Sequence, residues 1–227
     1  MGYEGKRVID ILLNVPNIIG YVRVSLYIWG IWQAHYDGYV IAASMYFLNC
    51  VLDAADGFAA RGLDQCSKFG AIFDVILDVV QMTMWKSVLC NLYPEYSFFI
   101  MFHAGLTIFG EWIHRHSCEV RSSHTHFMSD SSNPILRYYY ATRLGHDFMV
   151  WSYWCFWLML YITKYTYGPI VPGIDVGIWQ LLLWLSIPCA INRFVILLAK
   201  IYTSINVMCA IDLEVKNTYN LRSKKSH

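Results

Sequence analysis

Residues 53–78 of the chain read DAADGFAARGLDQCSKFGAIFDVILD, and this stretch holds five of the sixteen acidic residues of the whole sequence. Two aspartates stand three residues apart at positions 53 and 56, and two stand four apart at positions 74 and 78, so each pair lies on one face of a helix. The polar residues 61–68 between the pairs predict a turn that folds two helices into an antiparallel hairpin. We therefore expect this hairpin to bring four carboxylates together: those of Asp53, Asp56, Asp74 and Asp78.

The composition of the whole chain indicates a membrane protein. Of its 227 residues, 57% are hydrophobic, 17% are aromatic and only 15% are charged. Soluble domains have about 45–50% apolar and about 25% charged residues. So high an apolar fraction excludes a disordered chain. The net charge of +1 excludes nucleic acid and other partners that are recognised by bulk charge.

Apolar segments, each allowed one or two charges, predict six transmembrane helices near residues 8–34, 38–60, 69–90, 96–113, 146–164 and 176–202. Basic residues concentrate at the start, in the second and fourth connections and in the tail, whereas the other connections hold Lys164 alone. Because basic loops stay on the cytoplasmic side, both termini are expected in the cytoplasm. The predicted fold is thus an all-α integral membrane protein with one domain over residues 1–227 and a long cytoplasmic loop at about 114–145.

Four carboxylates inside a membrane protein need compensating charge, since each one costs about 2.5–3.5 kcal/mol at a helix centre. A cluster of oxygen ligands selects a hard divalent ion, and four carboxylates suit two ions, Mg²⁺ or Mn²⁺, that clamp a phosphoryl group. Gly57 and Gly70 leave space on the two helices, and Arg61 can bind a phosphate through its fork of donors. An alternative stays open, in which the carboxylates pair with bases inside the membrane: Arg23, Lys86 and Arg193.

The spacing of these residues resembles a complete family signature. The pattern Asp-x-x-Asp-Gly-x-x-Ala-Arg over residues 53–61, followed by Gly70, Asp74 and Asp78, is similar to that of the CDP-alcohol phosphotransferase family. The resemblance implies a six-helix membrane enzyme that moves a phosphoalcohol or phosphatidyl group from a CDP-linked donor to an alcohol and releases CMP.

Carried over by position, the resemblance also implies a role for each residue of the signature. Asp53 and Asp74 would bridge two metal ions, and Asp56 would complete the first site. Asp78 would ligate the second ion and act as the general base. The residues implied to contact the CDP-lipid are Gly57, Arg61 and Ser67.

Within the family, the chain most resembles the eukaryotic members that use inositol. The stretches that carry this resemblance are VPNIIGYVR at 15–23, LDAADG at 52–57, FGA at 69–71, HRHS at 114–117 and NPILRYYY at 133–140. The implied reaction converts CDP-diacylglycerol and myo-inositol into phosphatidylinositol and CMP. One position departs from this branch, because Val79 stands where Arg is expected.

Further candidates are less specific. Asn17 and Arg23 on the first helix, and Arg137 and Arg143 in the fourth connection, are candidate substrate or lipid contacts, although basic residues there also follow from topology alone. The tail lysines at 224 and 225 resemble a retrieval signal, which predicts a multi-pass protein of the endoplasmic reticulum membrane with its active site facing the cytoplasm. The sequence allows a homodimer.

Two rival functions remain open at this stage. A sister transferase would use serine, glycerol phosphate, choline or ethanolamine as the acceptor. The aspartate signature does not exclude it, because the signature concerns the CDP end of the donor, which all members share. A divalent-cation transporter would use an acidic ring to select ions. It predicts acidic residues spread over several helices, whereas the aspartates here cluster on one hairpin.

Overall fold

The computed structural model describes residues 7–36, 38–120, 133–141 and 143–225. The side chains of residues 143, 144, 214, 215 and 217–225 are outside that description. Three predictions therefore fall outside the described residues: the contacts of the Arg143 side chain, the role of the tail lysines at 224 and 225, and the part of the predicted loop between 121 and 132.

The described chain is almost entirely helical, which confirms the predicted all-α class. Its helices are α1 Val8–Leu12, α2 Val15–His35, α3 Tyr39–Gly62, α4 Lys68–Leu92, α5 Ser97–Val120, α6 Pro134–Tyr140, α7 Arg143–Ile162 and α8 Ile178–Lys225. A 3-10 turn at Pro94–Tyr96 precedes α5. The strands β1, Ile170–Val171, and β2, Val176–Gly177, form an antiparallel pair in which Ile170 faces Gly177 and Val171 faces Val176.

Three helix boundaries differ from the prediction. The first predicted helix is broken at residues 13–14, where α2 starts with Pro16 in its first turn, a position at which the missing N–H of proline is not needed. The last helix continues far past residue 202, because residues 203–225 contain no Gly or Pro that would end it. The predicted loop at 114–145 is partly helical, since α5 reaches Val120 and α6 lies inside the loop.

Long apolar helices and exposed apolar side chains fit a membrane protein. Within the described residues, two helical segments are long and apolar enough to cross a membrane, Tyr39–Gly62 and Ile178–Leu213. Large apolar side chains lie on the outer surface of many helices, such as Trp32 at 61%, Phe98 at 72% and Trp112 at 74% exposure. Soluble monomers rarely expose apolar surface so extensively.

The chain divides into two compact units. Unit 1 consists of Met1–Ala104 and Tyr153–Ile187, and unit 2 of Gly105–Ser152 and Pro188–His227. In unit 1, α2 packs against both α3 and α4. In unit 2, a buried cluster of Cys118, Leu136, Tyr139, Ile196 and Ala199 joins side chains of α5, α6 and α8.

An aromatic pair holds α3 and α4 in register within unit 1. Tyr46 lies seven residues before Asp53 and Trp85 lies seven residues after Asp78, and the two ring centroids are 4.4 Å apart. The Tyr46 hydroxyl donates to the carbonyl of residue 154 at 3.3 Å, and Trp85 Nε1 donates to the carbonyl of residue 157 at 3.2 Å. Both bonds tie the hairpin to α7 about two helical turns from the aspartates.

Candidate active site

The predicted cluster of four carboxylates is present, and it surrounds a guanidinium that comes from α2. Nη1 of Arg23 lies 2.7 Å from Asp56 Oδ2 and 2.9 Å from Asp74 Oδ1. Nη2 lies 2.7 Å from Asp53 Oδ1 and 2.8 Å from Asp78 Oδ1. Helix α3 supplies the first pair of aspartates and α4 the second, and the docking of α2 on both helices places Arg23 between them.

The position of Arg23 is fixed by further hydrogen bonds within unit 1. Its side chain is only 1% exposed. The Asn49 side-chain amide donates to the backbone carbonyl of Arg23 at 2.7 Å, and Arg23 Nε donates to Asn49 Oδ1 at 3.3 Å. Asn49 was not among the residues that the sequence pointed to. Nothing in its local spacing distinguishes it, because its partner stands 26 residues away.

The sequence offered three bases inside the membrane as partners for the aspartates, and the structure pairs one of the three with them. Arg23 pairs with all four aspartates. The ammonium group of Lys86 instead lies 5.0 Å from the ring centroid of Trp157, and Arg193 is paired with Glu111 in unit 2. If all four carboxylates are ionised, one guanidinium balances only one of their four negative charges.

The donor set fits a hard divalent cation. Asp53, Asp56 and Asp74 each offer an oxygen atom, and these three atoms lie within 4.8 Å of one another. Carboxylate oxygens are the ligands that Mg²⁺ and Mn²⁺ prefer. Asp78 is not part of this compact group of three, although it shares the Arg23 guanidinium with them. The site can therefore hold a cation, and the cation and Arg23 would compete for the same carboxylates.

The glycine of the first pair makes room for the predicted phosphate-binding arginine. The Arg61 guanidinium folds back over Gly57, with Nη2 3.3 Å and Nη1 3.4 Å from the position that a Cβ atom would take. Arg61 is exposed, and its guanidinium carbon lies 5.4 Å from the ring centroid of Phe58. Its donors are thus close to the α3 backbone, in a position that solvent can reach.

The second glycine allows the start of α4 to approach α2. Asn17 Oδ1 and Ser67 Oγ both lie 3.0 Å from the position of a Cβ atom on Gly70. Ser67 is the N-cap of α4, because its hydroxyl oxygen accepts from the backbone N–H of Gly70 at 2.9 Å. Asn17 is buried and donates to the carbonyl of Ile11 at 2.6 Å. Ser67 and Asn17 therefore help to fix the start of α4 at the hairpin's polar end, which is the end formed by residues 61–68. This role is in addition to any substrate contact.

Two sequence-predicted positions show no distinctive contact with the part of the chain that the structure describes. Arg137 lies exposed on α6 in unit 2. Val79 is half-buried, and its carbonyl accepts from the Thr83 hydroxyl at 2.8 Å.

Unit 2 contains an ionic cluster whose acid the sequence reasoning missed. Lys200 Nζ lies 2.9 Å from Glu111 Oε1 and 3.1 Å from Oε2, and Arg193 Nη2 lies 3.7 Å from Glu111 Oε1. Arg193 also donates to the Tyr139 hydroxyl. The signal that could have found this cluster is the presence of ionisable residues within predicted apolar helices.

Comparison with known proteins agrees with the geometry of the aspartate cluster. The sequence model of the CDP-alcohol phosphatidyltransferase family matches residues 13–191, a range that includes Arg23 and all four aspartates, so the chain belongs to this family.

Individual relatives show which members of the family the chain is similar to. The chain is 34% identical over 204 residues to the CDP-diacylglycerol–inositol 3-phosphatidyltransferases of Rattus norvegicus and Homo sapiens, covering 89% of this chain and 94% of each relative. The enzyme of the same name from Drosophila melanogaster is 28% identical over 215 residues, which cover 95% of this chain and 93% of the relative. No solved structure matches the chain.

Proposed function

We propose that this protein transfers the phosphatidyl group of CDP-diacylglycerol to myo-inositol, giving phosphatidylinositol and CMP. The observation that carries the proposal is the cluster of four aspartates around Arg23. It is supported by the relatives named CDP-diacylglycerol–inositol 3-phosphatidyltransferase, the first of which aligns with 89% of this chain. A divalent-cation transporter is disfavoured, because the carboxylates belong to adjacent helices of one hairpin, on which the candidate phosphate-binding Arg61 also lies.

In this proposal Asp53, Asp56, Asp74 and Asp78 hold two divalent ions, Mg²⁺ or Mn²⁺. Asp53 and Asp74 would serve as ligands at both metal sites, Asp56 would serve at the first and Asp78 at the second. When bound, the ions neutralise the donor's pyrophosphate and stabilise the CMP leaving group. The compact group of Asp53, Asp56 and Asp74 supports the first of these sites.

Asp78 is proposed as the general base. Its side chain is 35% exposed, so a polar acceptor can reach it from solvent. The carboxylate takes the proton from the attacking inositol hydroxyl as the new oxygen–phosphorus bond forms and the bond from phosphorus to the CMP oxygen breaks. The hairpin holds donor and acceptor in line, which removes part of the entropic cost of the reaction.

The donor is proposed to lie along the polar end of the hairpin. Arg61 supplies charged donors to its phosphates, and Gly57 keeps the α3 surface low enough for the guanidinium to fold against it. Ser67 is proposed as a further contact of the donor, and Asn17 and Arg23 as candidate contacts of substrate or lipid. Arg137 and Arg143 are proposed separately, as contacts of substrate or of anionic lipid headgroups.

The membrane arrangement belongs to the same proposal. Six transmembrane helices with both termini in the cytoplasm place the hairpin's polar end at the cytoplasmic face of the endoplasmic reticulum membrane. Acyl chains then stay in the bilayer while the pyrophosphate and inositol stay in water. A homodimer is compatible with this arrangement, and crosslinking of the purified protein tests it.

The deciding experiment supplies the purified protein in vesicles with CDP-diacylglycerol, Mg²⁺ or Mn²⁺, and one alcohol at a time. CMP release that depends on inositol, together with labelled phosphatidylinositol, is the expected result. CMP release with serine, glycerol phosphate, choline or ethanolamine but not with inositol would assign the protein to a sister reaction. Ion flux across the vesicles without CMP release would contradict an enzymatic function.

A further inference from the structure

Arg23 has more anionic partners than a structural ion pair requires. A single guanidinium contacts four carboxylates at 2.7–2.9 Å and is anchored at Nε by Asn49. Three of these carboxylates, those of Asp53, Asp56 and Asp74, are the same groups that could hold a divalent ion. The positive charge of Arg23 therefore helps to keep the four carboxyl groups together.

A divalent ion at this cluster would meet Arg23 as a competitor. Each carboxylate that turns an oxygen to the ion weakens its bond to the guanidinium, and two positive charges a few ångströms apart repel each other strongly in a partly buried site. Arg23 cannot lose its charge, because a guanidinium stays protonated in proteins. The repulsion is relieved only when the guanidinium gives up contacts with the carboxylates.

We propose that Arg23 is the resident counter-ion of the aspartate cluster, and that divalent ions bind by exchange with its carboxylate contacts. Arg23 holds the site assembled before the ions arrive, and it lowers the affinity of the site for them. The inference rests on the metal site of the proposed function, and it does not depend on which alcohol the enzyme uses.

The test measures Mn²⁺ binding to the purified full-length protein in detergent, without CDP-diacylglycerol or inositol, from the electron paramagnetic resonance signal of free Mn²⁺. Arg23→Gln removes the charge, and we expect it to tighten Mn²⁺ binding by about tenfold or more. Arg7→Gln is the matched control, because Arg7 is 80% exposed in a surface pair with Asp10 and should leave binding unchanged. Equal or weaker binding by Arg23→Gln would overturn the exchange.

Thermal unfolding gives a second readout. In a chelator, Arg23→Gln should lower Tm by about 5–10 °C, because four carboxylates lose their counter-ion. With saturating Mn²⁺ the difference from wild type should shrink to about 2 °C or less, because the ions now supply the charge. The same loss of Tm under both conditions would show that Arg23 only packs the helices, and would overturn the inference.

Asn49→Ala keeps the proposal testable if Arg23→Gln does not fold. This change retains the charge of Arg23 but removes both of the hydrogen bonds between Arg23 and Asn49. We expect Mn²⁺ binding about threefold tighter, and unchanged binding would count against exchange. No Mn²⁺ binding by the wild type would contradict the metal site itself, and this inference with it. Wild-type binding that Arg23→Gln leaves unaltered would contradict the exchange alone.

Discussion

The described residues form an ionic cluster in each compact unit, and the two clusters have opposite charge balance. In unit 1 one base, Arg23, contacts four carboxylates. In unit 2 one acid, Glu111, contacts the two bases Lys200 and Arg193. An excess of carboxylates attracts further cations, whereas an acid that already has two bases has no need of one. Charged residues in apolar helices do not by themselves indicate a metal site. An excess of acids over bases indicates a candidate metal site, whereas an excess of bases indicates an internal ion pair.

The clusters also differ in access. Asp74 and Asp78 have side-chain exposures of 45% and 35%, whereas Glu111 is 21% and Lys200 only 6% exposed. The two carboxylates of α4 are therefore less enclosed by protein than the second cluster. The second is better suited to holding helices of unit 2 together, since it joins α5 and α8. The following changes test this division, from the largest expected effect to the smallest.

Asp78→Asn should reduce turnover by about a thousandfold or more, because the amide cannot take the proton from the attacking hydroxyl and is a weaker metal ligand. CMP release from reconstituted vesicles measures the effect. Asp64→Asn is the matched control, since Asp64 is exposed in the connection between α3 and α4 and lies outside the cluster. Near-normal turnover of Asp78→Asn would reject Asp78 as the base.

Glu111→Gln should lower the free energy of unfolding by about 3–5 kcal/mol, because it takes the carboxylate from buried Lys200 and from partly buried Arg193. Chemical unfolding in detergent measures this loss, and the Mn²⁺ requirement of the folded enzyme should not change. Glu119→Gln on the same helix is the control, since Glu119 is exposed. A shifted Mn²⁺ requirement in Glu111→Gln would break the division of roles between the two clusters.

Gly70→Ala should cost about 1–2 kcal/mol of stability, because the added Cβ would lie 3.0 Å from Asn17 Oδ1 and from Ser67 Oγ. Gly62→Ala provides the control, since nothing lies within 4 Å of a Cβ at that position. We expect Gly62→Ala to be neutral or slightly stabilising in the same unfolding measurement. Equal effects of the two changes would show that close approach of α2 to α4 is unimportant.

Tyr46→Phe should have the smallest effect, a loss of about 1 kcal/mol, because it removes one hydroxyl donor and keeps the ring contact with Trp85. Tyr96→Phe serves as the control, since Tyr96 is 58% exposed. Thermal unfolding of both variants measures the difference. A large drop in activity without a loss of stability would instead assign Tyr46 a direct part in positioning the aspartates.

The helix hairpin and the meeting of its aspartates were predictable because both depend on local periodicity. Positions three and four apart share a helix face, and a polar stretch of eight residues brings the faces together. The helix boundaries were less predictable. The break at residues 13–14 depends on a proline in the first turn of α2, and the continuation of α8 to Lys225 depends on the absence of Gly and Pro after Pro188.

The partners of the charges could not be predicted in the same way. Arg23 stands 33 residues from Asp56 and 55 from Asp78, and Glu111 stands 89 from Lys200. Spacing along one helix carries no information at these distances. The sequence contains three bases that could pair with the aspartates, of which Arg23 is one. Only the docking of α2 on α3 and α4 shows that Arg23 is the base that does so.

The sequence by itself determined the composition of a membrane protein, the family signature and the number of carboxylates on the hairpin. These are counts and periodicities, which the chain carries before it folds. Only the tertiary structure decided which base meets which acid, because ion pairs between distant segments form after the helices have packed. That packing places one guanidinium among four carboxylates in unit 1 and two bases around one carboxylate in unit 2.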